Sequence, residues 1–188
     1  MNRLTLMPVG TVDGGVLAHI AERCALEYGW NVKIDPPIAM PLAAFDAKRN
    51  QYEAIHILRA VIARAHPDSD RTLGIVNEDL FIPMLTFVFG QAQIRGKVAL
   101  MSLARLGQEY YGLPPNPPLF LKRAEKETLH ELGHTFGLIH CASRDCVMAL
   151  SNSIQQVDQK QAEYCRSCAI LLHDSLRTIE TDTQRKTQ

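Results

Sequence analysis

The run His130-Glu131-Leu132-Gly133-His134-Thr135-Phe136-Gly137-Leu138-Ile139-His140-Cys141 holds the residues best suited to chemistry in this chain. His130 and His134 stand one helical turn apart, so two imidazoles on one face can reach a single metal ion, with Glu131 beside that ion but not obliged to bind it. His140 lies ten residues beyond His130. On an unbroken helix that is roughly 15 Å away, whereas Zn–N bonds are only about 2.0–2.1 Å long. The chain must therefore leave the helix and turn back, and Gly137 stands where a residue tolerating positive φ would permit it. Three neutral imidazoles leave a tetrahedral zinc with one open position for water, the arrangement of a catalytic site. Zinc-bound water is acidified strongly, to a pKa of about 7, and Glu131 would take its proton and pass it to a leaving amine. That is amide hydrolysis.

The competing reading is a chance HExxH on an ordinary amphipathic helix. The glycine and the third histidine complete H-E-x-x-H-x-x-G-x-x-H and weigh against it. Leu119 to Phe136 is rich in helix formers and has no internal proline, so the motif is expected on a helix.

Four of the five cysteines follow at once: Cys141, Cys146, Cys165 and Cys168, as C-x4-C, an eighteen-residue spacer, then C-x2-C. Four thiolates form the ligand set of a closed structural zinc. Two disulfides, in any of three connectivities, or a sulfur-bound iron centre would use the same residues. The opening residues Met1 to Gly10 carry no secretory signal, which favours a reducing compartment and metal over disulfide. His140 and Cys141 are neighbours, so a metal on the cysteines would brace the segment that delivers the third histidine. Cys24 follows Val16 and Ile20 on an amphipathic pattern from Gly15 to Tyr28 and is expected to be a buried, inert thiol. His19, His56, His66 and His173 have no ligand-like spacing.

The block from His130 to Cys168, with Met148 two residues after Cys146, resembles the archaemetzincins, metzincin-like zinc peptidases that add a four-cysteine zinc site to the three-histidine one. Weaker likeness extends through Phe89-Gly90-Gln91-Ala92 and Val98 to Leu106. The resemblance implies two zinc ions per chain. His130, His134 and His140 would hold the catalytic zinc, Glu131 would be the base, and Cys141, Cys146, Cys165 and Cys168 would hold the structural zinc. Met148 would be the methionine of the turn beneath the first zinc. Some metzincins carry a tyrosine two residues after it, whereas this chain has Leu150, so stabilisation of the oxyanion falls more heavily on the metal.

The rest of the chain must position these groups. Its 188 residues, 46% hydrophobic, suit one domain over residues 1–180 with a short polar tail over 181–188 expected to be disordered. Zero formal charge leaves no electrostatic footprint for nucleic acid or an anionic membrane, no apolar run approaches the roughly 20 residues of a spanning helix, and no propeptide is evident. Strands are expected at Leu4–Val9, Asn31–Ile34, Thr72–Val76, Phe87–Ile94 and Lys97–Leu103. Helices are expected at Gly15–Tyr28, at Gln51–Ala65 with Ile55, Leu58 and Ile62 facing the core, and from about Asp158 to Ile179 with Ala169, Leu172 and Leu176 inside. Gly107 to Pro118 reads as a proline-rich connection. The expected fold class is a mixed α/β sheet of zincin type with an active-site helix and a C-terminal helix. Phe87–Ile94 is expected at the sheet edge, where an extended substrate could pair by β-augmentation. The function that follows is a zinc-dependent peptidase of the cytoplasm, monomeric, acting on peptides or small proteins, with endopeptidase and aminopeptidase action both open. The alternatives are a metzincin-fold protein that binds peptide or a partner without turnover and, less supported, a nucleic-acid-binding zinc module.

Overall fold

A computed structural model describes the backbone of residues 2–186 and the side chains of residues 2–181. Five strands form the main sheet: β1 (Arg3–Val9), β2 (Asn31–Ile34), β5 (Arg71–Val76), β8 (Gly90–Ala92) and β9 (Val98–Ser102), in the order β2-β1-β5-β9-β8. All neighbours are parallel except β8 and β9. β5 and β9 are buried at every position, as expected of parallel strands covered on both faces. A second sheet, β3-β4-β6-β7, consists of β3 (Phe45–Asp46), β4 (Gln51–Glu53), β6 (Leu80–Ile82) and β7 (Leu85–Val88).

Helix α1 (Gly14–Tyr28) and helix α3 (Pro117–Thr135) share one core cluster with β1, β5 and β9, whereas α2 (Ala54–Arg64) packs in a second cluster. Cys24 is fully buried on α1, as its spacing implies. Two of the four prolines expected in the connection instead open α3. Pro117 and Pro118 occupy its first positions, where the missing N–H costs nothing, and the Asn116 side chain accepts from the Leu119 N–H.

Three expectations are corrected. The single strand Phe87–Ile94 is two strands, β7 and β8, in different sheets. The chain changes sheet at Phe89, whose side chain is buried and whose carbonyl accepts from the Ser102 N–H. Helix α2 begins only at Ala54, and Ala54, Ile57, Leu58 and Val61 are buried while Ile62 is exposed. Two apolar stripes of helical period overlap there, and the inward one is offset by a residue. The last helix is broken into α4 (Ile154–Gln159) and α5 (Arg166–Lys186). Leu172 is buried and Leu176 packs on the core, but Ala169 is exposed. Helix α5 runs past Thr181, where the tail was expected to begin, and Thr187 and Gln188 lie outside the described residues. No helix among the described residues is long and apolar enough to cross a membrane.

Candidate metal centre and cleft

The lower half of α3 brings His130 and His134 onto one face, and their Nε2 atoms lie 3.2 Å apart. Each ring is oriented from behind. His130 Nδ1 donates to the Val147 carbonyl at 2.9 Å and His134 Nδ1 to the Leu138 carbonyl at 2.8 Å. Those bonds fix the tautomer that leaves Nε2 free as a ligand. Helix α3 then ends in a Schellman motif, with the Gly137 N–H on the His134 carbonyl and the Leu138 N–H on that of Gly133. Gly137 has φ +92°, the left-handed turn expected at this residue. The turn returns the chain so that the His140 ring lies 5.3 Å from that of His130 and 5.0 Å from that of His134, centroid to centroid. One nitrogen from each histidine falls within 4.8 Å of the others. Bonds of about 2.0–2.1 Å to a tetrahedral ion would hold two nitrogens about 3.4 Å apart, close to the spacing of His130 and His134. The donor set fits zinc.

All five cysteines are free thiols. The sulfurs of Cys141, Cys146, Cys165 and Cys168 gather within 4.8 Å of one another, room for one ion and not for a two-iron cluster. Cys141 Sγ and Cys165 Sγ are 3.8 Å apart. Metal–sulfur bonds of about 2.3 Å in a tetrahedron would give about the same distance. Cys165 precedes α5 and Cys168 lies in its first turn.

The segment Cys146-Val147-Met148 joins the two clusters. Cys146 is one of the four thiols, the Val147 carbonyl orients His130, and the Met148 carbonyl accepts from the Cys141 N–H at 2.9 Å. Met148 packs beneath α3 at Gly133, where an added Cβ would meet its Sδ at 2.5 Å. The Tyr164 hydroxyl donates to the Leu129 carbonyl at 2.7 Å on the same side.

Glu131 is buried beside β8. A Cβ on Gly90 would stand 2.6 Å from Glu131 Cγ and Cδ, so the glycine makes the seat for the carboxylate. Burial, with the nearby Glu127 carboxylate, holds the Glu131 carboxyl well above the usual range, while Lys160 opposes the shift. Burial lowers the pKa of His130, His134 and His140, with Lys160 contributing at each. The rings therefore stay neutral to lower pH than free histidine, as metal ligands must.

These groups open onto a cleft of about 620 Å³ with apolar walls from Leu85, Phe87, Phe89, Ile94 and Leu150. Strand β8 stands at the outer edge of the main sheet along this cleft. Its turn into β9 is tied to the metal helix, since the Arg95 N–H, at φ +57°, donates to the His134 carbonyl at 3.0 Å. Gln91 and Ser151 also line the cleft, and Gln91 Oε1 and Ser151 Oγ are buried without a hydrogen-bond partner among the described residues. Sequence reasoning named Gly90 and Gln91 only within a segment of weaker likeness, giving them no role, and missed Ser151, Glu127 and Lys160. Only Glu127 carried a local signal, four residues before Glu131 on the ligand face of a helix. Among the described residues His19, His56 and His66 join no cluster, pairing instead with Glu125, Glu53 and Asp68.

The model of peptidase family M54 matches residues 15–174. Among curated proteins, the archaemetzincin of Methanocaldococcus jannaschii is 41% identical over 172 residues, covering 92% of this chain and 93% of the relative. That of Pyrococcus furiosus is 41% identical over 179 residues, with coverage of 92% and 93%. Among solved structures, the archaemetzincin of Methanopyrus kandleri superposes with a TM-score of 0.83 at 38% identity, covering 94% of this chain and 96% of that one. A zinc-dependent peptidase from Methanocorpusculum labreanum superposes with a TM-score of 0.80 at 27% identity, covering 90% and 99%. With a family model spanning most of its length and relatives of this identity matched almost end to end, the chain belongs to peptidase family M54, the family of the archaemetzincins.

Proposed function

We propose that this chain is a zinc-dependent peptidase whose catalytic metal is held by His130, His134 and His140 and whose general base is Glu131. The observation that carries the reading is the 3.2 Å approach of two Nε2 atoms whose rings are held from behind, with a buried carboxylate in the same cleft. A zinc ion bound there supplies an acidified water and polarises a substrate carbonyl. Glu131, seated against Gly90, receives a proton from the attacking water and delivers it to the leaving amine. The free edge of β8 gives an extended peptide main-chain partners along the cleft.

Cys141, Cys146, Cys165 and Cys168 would hold a second, structural zinc, for two zinc ions per chain. The same reading takes residues 1–180 as one peptidase domain, working as a monomer on peptides or small proteins. Reduced thiols suit a cytoplasmic setting. The test is cleavage of a diverse peptide library by protein of verified zinc content, with Glu131→Ala as control. Cleavage that vanishes in the variant while zinc is retained is the expected result. Two bound zincs and no cleavage by either protein would replace this reading with that of a peptide-binding protein.

A further inference from the structure

The cleft contains a second carboxylate that the hydrolytic scheme leaves unused. Glu127 lies one helical turn before Glu131 on α3, which places both side chains on one face, and it lines the cleft beside His130 and Glu131. Its companion is Lys160, from the link between α4 and α5. Lys160 has no exposed surface and Glu127 only 2%. Nζ and Oε1 approach to 2.9 Å, yet off the directions of a hydrogen bond, and neither atom has a hydrogen-bond partner among the described residues.

Neighbouring charges on the same helix are well satisfied. Arg123 makes a bidentate pair with Asp158 at 2.7 Å, and Lys126 donates to the Val157 and Asp158 carbonyls. Those contacts already clamp the Val157–Lys160 segment to α3. A buried ion pair adds little stability beyond what apolar residues of similar volume would provide, and one so poorly satisfied adds less. An ionised carboxylate has about four lone-pair sites. Lys160 pairs with Oε1 without a hydrogen bond, which leaves acceptor capacity on a carboxylate that lines the cleft.

We propose that Glu127, held in direction by Lys160, is a substrate-binding residue that accepts an N–H of the bound peptide, from an internal amide or from the terminal ammonium. The identity of the ligand rests on the peptidase reading above. Lys160 is the positioning residue: it offsets the charge of Glu127 and fixes where its free lone pairs point.

The experiment compares Glu127→Leu, Lys160→Met and the double variant, all zinc-loaded and in a Glu131→Ala background so that substrate persists. Melting temperature, zinc content and affinity for C-terminally labelled peptides of varied sequence, with free and with acetylated N-termini, are measured. Each single variant strands a buried charge and melts lower. The double variant is expected to recover the parent melting temperature and zinc content but to bind peptides roughly 10- to 100-fold more weakly, the loss of a hydrogen bond to a charged group. Glu127→Gln, which keeps shape and one acceptor, is expected to fall between and serves if the double variant does not fold. A weakening confined to peptides with free N-termini assigns the ammonium, and one seen equally after acetylation assigns an amide. Parent-like affinity in the double variant at restored stability, or in Glu127→Gln, overturns the proposal. If Glu131-intact protein cleaves nothing while the Glu127 variants still lose affinity, the peptidase reading fails and this one stands. If zinc-loaded protein binds no peptide, both fail.

Discussion

Replacing Gly90 by alanine would add one methyl group where the structure has no room for it. The new Cβ would stand 2.6 Å from Glu131 Cγ and Cδ and 2.5 Å from the Leu100 carbonyl oxygen, against ordinary carbon contacts of about 3.5–4.0 Å. Gly90 does not have positive φ, so alanine meets no backbone penalty there and space is the only obstacle. Relief requires Glu131 to retreat by about 1 Å and the β8 and β9 backbones to ease apart at the Leu100 carbonyl. Overpacking of this kind costs about 1–3 kcal/mol of stability, and a 1 Å displacement of a catalytic group can cost about 100-fold in rate. Expected is a loss of that order in kcat/KM for a cleaved peptide, with zinc retained and melting lowered by only a few degrees. Gly14→Ala, with nothing within 4 Å of the new Cβ, is the neutral control. Because aspartate is shorter, Glu131→Asp should cost less in the Gly90→Ala background than in the parent, a non-additivity that reports contact. Parent-like kcat/KM in Gly90→Ala at unchanged melting temperature would refute the seat. Loss of zinc together with activity would show that the damage passed through Leu100 into the sheet.

Cys146→Ser and Cys168→Ser should each lower metal occupancy and activity at the three-histidine cluster, because Cys146-Val147-Met148 supports both clusters; zinc titration of the histidine site that leaves both unchanged would count against the coupling. In metal-free protein the folded Glu131 keeps its proton where the unfolded chain has released it, so its burial penalises folding as pH rises above the ordinary 4.5. Glu131→Gln should therefore melt higher than the metal-free parent at neutral pH, and the advantage should shrink to nothing as pH falls to about 4.5. The three histidines act with the opposite sign: their folded pKa values lie below 6.5, so their contribution is present above 6.5 and is lost as pH falls below it. Alkylation of the metal-stripped native protein should reach Cys165, whose thiol is held down to about 7 chiefly by the Cys168 backbone N–H, well before Cys24, pushed up to about 12 by burial. Comparable labelling rates at the two, read by peptide mass spectrometry, would contradict this.

The parts of the site that could be read in the chain are those whose chemistry is local. Helical spacing placed His130 beside His134, and the reach of a Zn–N bond required the turn that Gly137 makes. Glu127 and Lys160 could not be paired in advance, because nothing near either residue encodes a contact across the long loop and helix α4 that separate them. The strand boundary at Phe89 was hidden for a related reason: no proline interrupts the run from Leu85 to Ala92, and which sheet each strand joins depends on partners far along the chain. The face of α2 was ambiguous because Ile55 and Ile62 mimic the stripe that Ala54, Ile57 and Val61 bury. The seat at Gly90 becomes visible only when α3 is laid against β8.

The order of the elements along the chain bears on how the protein is made. Every strand of the main sheet precedes residue 103, and every histidine and cysteine of the two clusters lies between His130 and Cys168. During synthesis the parallel sheet, whose distant pairings are intrinsically slow to form, can therefore begin to assemble before any clustered ligand has left the ribosome. Helix α3, which completes the core of that sheet and carries two of the histidines, follows it from the ribosome, so capture of metal would come late in folding.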